Sequence, residues 1–472
     1  MNRTIFKSTT IFISIIIAIN FINSCKKDSV ITNPNALLRL SEDTLHFDTV
    51  FTTTGSTTQY FRIYNPNNQK LILSNVQLMG GGTSFFKMNV DGVAGITLAN
   101  IEIEPNDSIY GFVTVSINPT AANLPFVVRD SIKINFNGNN RFLQLEAYGQ
   151  NGNFLRNTTV TKDTIWTNNL PIILLGGLTI NEGKTLTISK GSKVYLHADA
   201  PILVNGTLKA IGEKYDSTRI SFQSDRIDDP YRNYPGAWPG IYFTQKSVDN
   251  IMQYCVLKNA YQGVIAQSPA TNANPKLILN ECILDNIYDV AIGGNNSSIN
   301  SRNCLVSNCG YNLYIASGGI YSFNHCTFSS FGNNYVEHKN SVATISNSNS
   351  SNQTNALNIT IQNSIIYGEG GLVDDEIMLI KNATVAFNVS LTNVLYKVKN
   401  DIPASNATIT NPLKNQLPVF DSIDAGRRYF NFHLNVTSPC INKGFNTNVL
   451  YDLDGNTRTL GGIPDLGCYE KQ

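Results

Sequence analysis

Four segments of this chain align on a cysteine, and that alignment restricts the fold more than any other feature. They are "MQYCVLKNAYQGV", "LNECILDNIYDVAI", "NSRNCLVSNCGYNLYI" and "SFNHCTFSSFGNNYV", centred on Cys255, Cys282, Cys304 and Cys326, with steps of 27, 22 and 22 residues. "IQNSIIYGEGGLV" continues the series with Ser364 in the cysteine place, and "FNVSLTNVLYKV" continues it near Val389. A period in the twenties, with short β runs and Asn at the turns, indicates a β-solenoid. A β-propeller would need blades of about 40 residues. Stacked coils place equivalent side chains in columns at ~4.8 Å. Cys255, Cys282, Cys304 and Cys326 are therefore expected as one structural column of small buried fillers. That spacing exceeds the ~3.8 Å between Cβ atoms that a disulfide prefers. Cys309 is read as a turn residue outside the column. If the chain has a disulfide, the better pair is Cys440 with Cys468, near its end.

The remaining sequence is also β-rich. Asn, Ser and Thr are abundant beside many Ile, Val, Tyr and Phe, and no sustained helical period occurs after residue 24. Charged residues make up 15% and the net charge is +1, so no basic patch marks a nucleic-acid partner. Residues 38–150 carry strand-like runs such as "TLHFDTVF", "TTQYFRIYN", "QKLILSNVQL" and "SIYGFVTVSI", separated by Asn, Pro or Gly clusters. This spacing suits a β-sandwich. With Asn65–Pro66, the Ile103/Pro105/Ser108 step and the Val115/Ile117/Pro119 step, the module resembles immunoglobulin-like domains of the Hydin type. Such domains act as spacers or docking modules.

The start resembles a bacterial lipoprotein signal: "MNRTIFK", then the apolar "IFISIIIAINFI", then "INSC". The resemblance implies a cleaved signal over 1–24, lipidation of Cys25 and a tether over 25–37. It further implies an extracytoplasmic outer-membrane lipoprotein held to the membrane by its lipid anchor, with the membrane face left open and the cell surface as one alternative.

From about residue 165 to 430 the order of motifs resembles right-handed parallel β-helix repeat proteins of bacterial (Bacteroidetes-type) surfaces, with a pectin-lyase-like solenoid. The match runs through Gly177, Leu178, Ile180, Gly183, Leu186, Ile188, Val204, Gly206, Leu208, Ala210, Gly212, Ile220, Phe222, Trp238, Gly240 and Ile241. The expected fold class is thus all-β, an N-terminal β-sandwich followed by a right-handed parallel β-helix. The final 431–472 resembles the terminal motif of such proteins, through Ser438, Pro439, Cys440, Gly444, Asp452, Asp454, Gly455, Arg458, Gly462, Asp465, Gly467, Tyr469 and Glu470. It is expected to cap the far end of the solenoid. Within it, Asp452, Asp454 and Asn456 alternate as calcium ligands do, without the full loop spacing. No other cofactor is suggested.

Enzymes of this fold need clustered carboxylates. The polygalacturonase patterns "GHG" and "RIK" are absent. The catalytic candidates are Asp374, Asp375 and Glu376, in a turn after one coil. A binding candidate is the insertion "SDRIDDPYRNYPGAWPG", with Asp225, Asp228, Asp229, Tyr231, Arg232, Tyr234 and Trp238. Aromatic faces and Asp/Arg pairs are what a sugar site uses. The leading expectation is a non-catalytic surface that binds a polysaccharide or another envelope component. The alternatives are a polysaccharide lyase or glycoside hydrolase, and an envelope scaffold.

Overall fold

A computed structural model describes residues 29–472, apart from 53, 54, 57, 120–124, 383 and 459–461. The signal segment 1–24 and the lipidation candidate Cys25 lie outside the described residues. The described residues form two compact units, divided between Asn151 and Gly152. Among the described residues no helix is long and apolar enough to cross a membrane.

The first unit is a two-sheet β-sandwich. One sheet runs in the order Arg39–Leu40, Gln59–Tyr64, Ser108–Val115, Phe86–Val90, Val93–Ala94. The other runs Thr44–Phe51, Asn139–Gln150, Phe126–Phe136, Leu71–Leu78, Thr97–Leu98. Alternate residues, among them Phe47, Phe61, Ile63, Val113, Ile132 and Leu143, fill the space between them. In Leu71–Leu78 the alternation slips by one after Leu73, so Val76 and Leu78 face inward. The matching register shift lies opposite Asn135 and Phe136, and a bulge absorbs the extra residue. Asn65, in the "NP" step, is buried and its amide donates to the carbonyls of Gln69, Ile103 and Glu104 at 2.8, 3.0 and 3.0 Å.

In the second unit 24 of the described strands join in one wound sheet. All its strand pairs are parallel, and they sort into three ladders. Ladder A stacks Lys193–Leu196, Ile220–Ser224, Cys255–Lys258, Ile283–Asp285, Leu305–Ser307, Thr327–Phe331 and then 365–369. Ladder B stacks Ile202–Val204, Ile241–Phe243, Val264–Gln267, 290–295, 311–316, Ala343–Ser346 and Ile377–Ile380. Ladder C stacks Thr207–Ile211, Asn250–Gln253, Leu277–Asn280, 299–302, 319–324, 357–362 and 387–392. Each coil passes from B to C to A. This is a parallel β-helix.

Interior columns follow from the register. On ladder A the column is Phe222, Leu257, Leu284, Val306, Phe328 and Ile366, all buried. On ladder C small Ser301 sits between Leu279 and Phe323, so the bulky ring is matched by a small neighbour. Gly206 tolerates no side chain: a Cβ there would stand 2.2 Å from the Lys184 carbonyl oxygen. That is the physical reason for glycine in the "NGTL" step.

The corner from ladder C to ladder A holds the cysteine column. Each rung is preceded by a residue in the left-handed region: Tyr254, Glu281, Asn303, His325, Asn363 and Asn393, with φ from 46° to 52°. Asn is enriched because its short polar side chain tolerates that conformation. The thiols of Cys255, Cys282 and Cys304 donate to the carbonyls of Ala210, Met252 and Leu279, one coil back, at 3.4, 3.4 and 3.5 Å. Ser364 takes the next place and accepts the Cys326 N–H at 3.0 Å. Cys309 lies outside that column, in the turn between Leu305–Ser307 and Tyr311–Asn324. It is fully buried in the main core, with its thiol on the Ser307 carbonyl at 3.0 Å.

The C-terminal segment departs from expectation. It does not close the end of the solenoid. It runs as a strap along the C-to-A corner, back across successive coils. Asn393 donates to the Lys443 carbonyl at 2.6 Å, Asn363 to Phe445 at 2.8 Å and Asn303 to Tyr451 at 2.8 Å. Arg219 donates to the Leu453 carbonyl at 3.0 Å. The strap covers the outer face of ladder A, where Leu305, Ile365 and Leu395 pack with Phe420, Phe432, Leu434, Leu453, Leu466 and Cys468 in a second core. The sequence distinguishes the two faces poorly, because these strands are apolar on both.

Candidate functional site

The corner from ladder A to ladder B carries several insertions. The first, 225–240, leaves Ser224 and lies down over the following turns. Asn259 and Asn286, both left-handed, donate to the carbonyls of Arg232 and Asn233 at 2.6 and 2.9 Å. Asn286 also donates to the Asn259 side chain at 2.7 Å, so one amide column pins the insertion.

Inside the insertion the charges satisfy one another. Arg226 forks onto Asp228 at 2.8 and 3.0 Å, with its guanidinium 3.8 Å from the Tyr231 ring centre. Arg232 forks onto Asp229, with one contact at 2.6 Å. Asp225 pairs with His197 Nδ1 at 2.8 Å; burial raises its carboxyl and His197 opposes the shift. These forks hold the loop rather than offer bidentate bonds to a ligand. Trp238 is withdrawn as well: it is 1% exposed, with its indole N–H on the Lys258 carbonyl at 2.9 Å.

The exposed tyrosines do gather. Tyr231 and Tyr234 have ring centres 5.4 Å apart, and Tyr234 lies 5.3 Å from Tyr335 on a later coil. Arg428 covers the Tyr335 ring at 4.1 Å. Tyr261 and Tyr288, on consecutive turns, stack at 5.4 Å with 23° between planes, and are about half exposed. Gly236 of the insertion sits against this pair; a Cβ there would be 3.5 Å from Tyr288 Cβ. Asp289 accepts from the Gln262 amide at 2.8 Å beside them. The insertion's composition suggested Tyr231 and Tyr234. Tyr261, Tyr288, Tyr335 and Arg428 escaped sequence reasoning, although Tyr261 and Tyr288 each follow a turn Asn by two residues.

Further along, two adjoining clefts of about 400 and 390 Å³ share Gly332, Gly370 and Ala425. The first is lined by Phe331, Tyr367, Glu369 and Phe420, the second by Glu337, His338 and Lys339.

The 374–376 run is divided by the fold. Glu376 is fully buried, 2.9 Å from His338 Nε2 and 3.9 Å from Lys397 Nζ. Asp375 accepts the Asn400 and Lys399 backbone N–H groups at 3.0 and 2.7 Å, which hold its carboxyl below the usual range. Asp374 pairs with Lys399 at 2.8 Å on the surface. A retaining or inverting pair needs two carboxyls facing one volume, about 5–9.5 Å apart. These three face different partners.

The terminal loop uses its oxygens on N–H donors. Asp452 Oδ1 accepts from Asp454 and Asn456 at 3.0 and 2.7 Å, and Oδ2 from the Glu470 N–H at 2.9 Å. Asp454 lies 2.8 Å from His433 Nε2. Among the described residues no three His, Cys, Asp or Glu side chains gather as metal ligands would. Cys440 and Cys468 are both buried free thiols; their backbone N–H groups donate to Ser438 Oγ at 3.2 Å and Thr327 Oγ1 at 3.0 Å.

Burial lifts the Glu470 carboxyl from 4.5 to about 7. The folded state then keeps a proton that the unfolded state has lost between these values. Its contribution is complete below pH 4.5 and lost as pH rises through 7. Glu470→Gln removes this titration. The stability gap in favour of the variant should therefore widen by about 2 kcal/mol from pH 5 to pH 8, read by denaturant unfolding. A gap independent of pH would contradict the buried carboxyl.

No family model matches the chain, and no curated protein matches it. Solved structures do. One is a family 123 glycoside hydrolase from Clostridium perfringens, 11% identical over 25% of this chain and 26% of that chain, with a TM-score of 0.18. Another is an ASH/PapD-like domain of human CEP192, 10% identical over 27% of this chain and 92% of that one, with a TM-score of 0.18. A third is the catalytic unit of a GH87 alpha-1,3-glucanase from Streptomyces thermodiastaticus, 9% identical over 75% of this chain and 89% of that one, with a TM-score of 0.21. The chain spans about a quarter of the length of the first of these.

Proposed function

We propose that this is a lipid-anchored outer-membrane protein that holds polysaccharide along the A-to-B corner of its β-helix without cleaving it. The observation that carries the reading is the pair of tyrosine clusters, Tyr231/Tyr234/Tyr335 within and beside a pinned insertion and Tyr261/Tyr288 against its Gly236. Ring faces at fixed spacing offer stacking surfaces for the CH faces of sugars, with Gln262 and Asp289 beside them for hydroxyls. The "INSC" step supports the anchor.

The test is affinity electrophoresis through gels containing acidic or neutral polysaccharides. Tyr261→Ala with Tyr288→Ala should weaken retardation about tenfold or more. Retardation unchanged in the double variant would refute the corner as the site.

A second reading is cleavage in the adjoining clefts, favoured by the buried His338–Glu376 pair with Lys397 close by. An unsaturated product absorbing in the ultraviolet, lost in Glu376→Gln, would replace binding with lyase activity.

A further inference from the structure

The B-to-C corner holds a third and larger cleft, of about 600 Å³, between the loop 268–276 and the coils at 296–300, 319–322 and 355–356. That volume suits a small-molecule or oligosaccharide segment. No Asp, Glu, Lys or Arg lines it. Asp249, nearby, is occupied by the side-chain amides of Asn272 and Asn274, at 2.8 to 3.0 Å. The lining offers amides and hydroxyls, with Ile320 as an apolar platform that is 65% exposed.

One observation points to a ligand here. The cleft opens onto the outer face of ladder C, where the register lines up Asn300, Ser322, Thr360, Ser390 and Thr408. This column gives one uncharged hydrogen-bonding side chain per coil, at ~4.8 Å.

We propose that this cleft and column form a second binding site, for a neutral polysaccharide chain. An ionised uronate would find no cation in the cleft lining. A protein partner would be expected to use larger apolar anchors. The site lies on a different face from the tyrosine corner and does not rest on it.

The test is calorimetric titration of the full chain in detergent with cellohexaose, laminarihexaose, mannohexaose and xylohexaose, and with polygalacturonate hexamer as the acidic probe. At least one neutral hexamer should bind. Asn300→Ala with Ser322→Ala should weaken it about tenfold. In a Tyr261→Ala, Tyr288→Ala background, which removes the tyrosine corner, a neutral-hexamer isotherm should persist and should still be weakened about tenfold by adding Asn300→Ala with Ser322→Ala. Absence of binding to all four neutral probes overturns the site. So does preference for the uronate, or loss of neutral binding only in the tyrosine variant.

Discussion

Arg458→Met is expected to release the C-terminal strap and to cost about 3–5 kcal/mol. The guanidinium is fully buried. It reaches Asn303 Oδ1 at 2.6 Å, the Gly467 carbonyl at 3.0 Å and Glu470 Oε2 at 3.4 Å. Burial depresses its pKa, while Asp452 and Glu470 oppose that shift. Methionine keeps much of the volume but removes every donor. The carboxylates of Asp452, Asp465 and, above pH 7, Glu470 then stay buried without their cation. Removing one partner of such a group costs more than the group contributes when intact. Limited proteolysis should cut the variant between residues 440 and 460 far faster than the parent, and denaturant unfolding should give the loss in stability. Equal cleavage rates with a loss under about 1 kcal/mol would show that the strap holds without its central cation.

The second large effect concerns thiol chemistry. Cys255, Cys282, Cys304 and Cys326 should react with an aromatic disulfide reagent roughly a thousandfold more slowly in the native protein than in denaturant. Burial raises the last three thiols well above their ordinary value, and the thiolate is the reactive form. Cys309, raised by the same cause, should share the protection. Mass spectrometry after native labelling checks each site. Fast modification of Cys304 would place it outside the column.

Periodicity made the solenoid legible. A side chain that recurs each coil must occupy the same corner, and Ser364 in a cysteine's place stands where the column requires a small group. Pairings across long stretches of chain were not legible. Nothing near Arg458 announces Asn303, 155 residues away, so a terminal motif in the sequence suggests an end cap where the fold builds a strap. The insertion misled in the opposite way. Its Asp, Arg and Trp residues look like a ligand site, but Arg226 and Arg232 find partners two and three residues off, and Trp238 turns inward. The tyrosines that do face out belong to separate coils, and only winding brings them together.

The strap has one more consequence, for how this rod fails. A solenoid coil normally interacts only with its neighbours, so such molecules unravel from an end one turn at a time. Here a single tail bonds to coils as far apart as those of Arg219 and Asn393. Under tension or protease attack the bonded coils share the load, as beads do on a tied cord. The strap-covered stretch should therefore give way in one abrupt event rather than as a sequence of small ones.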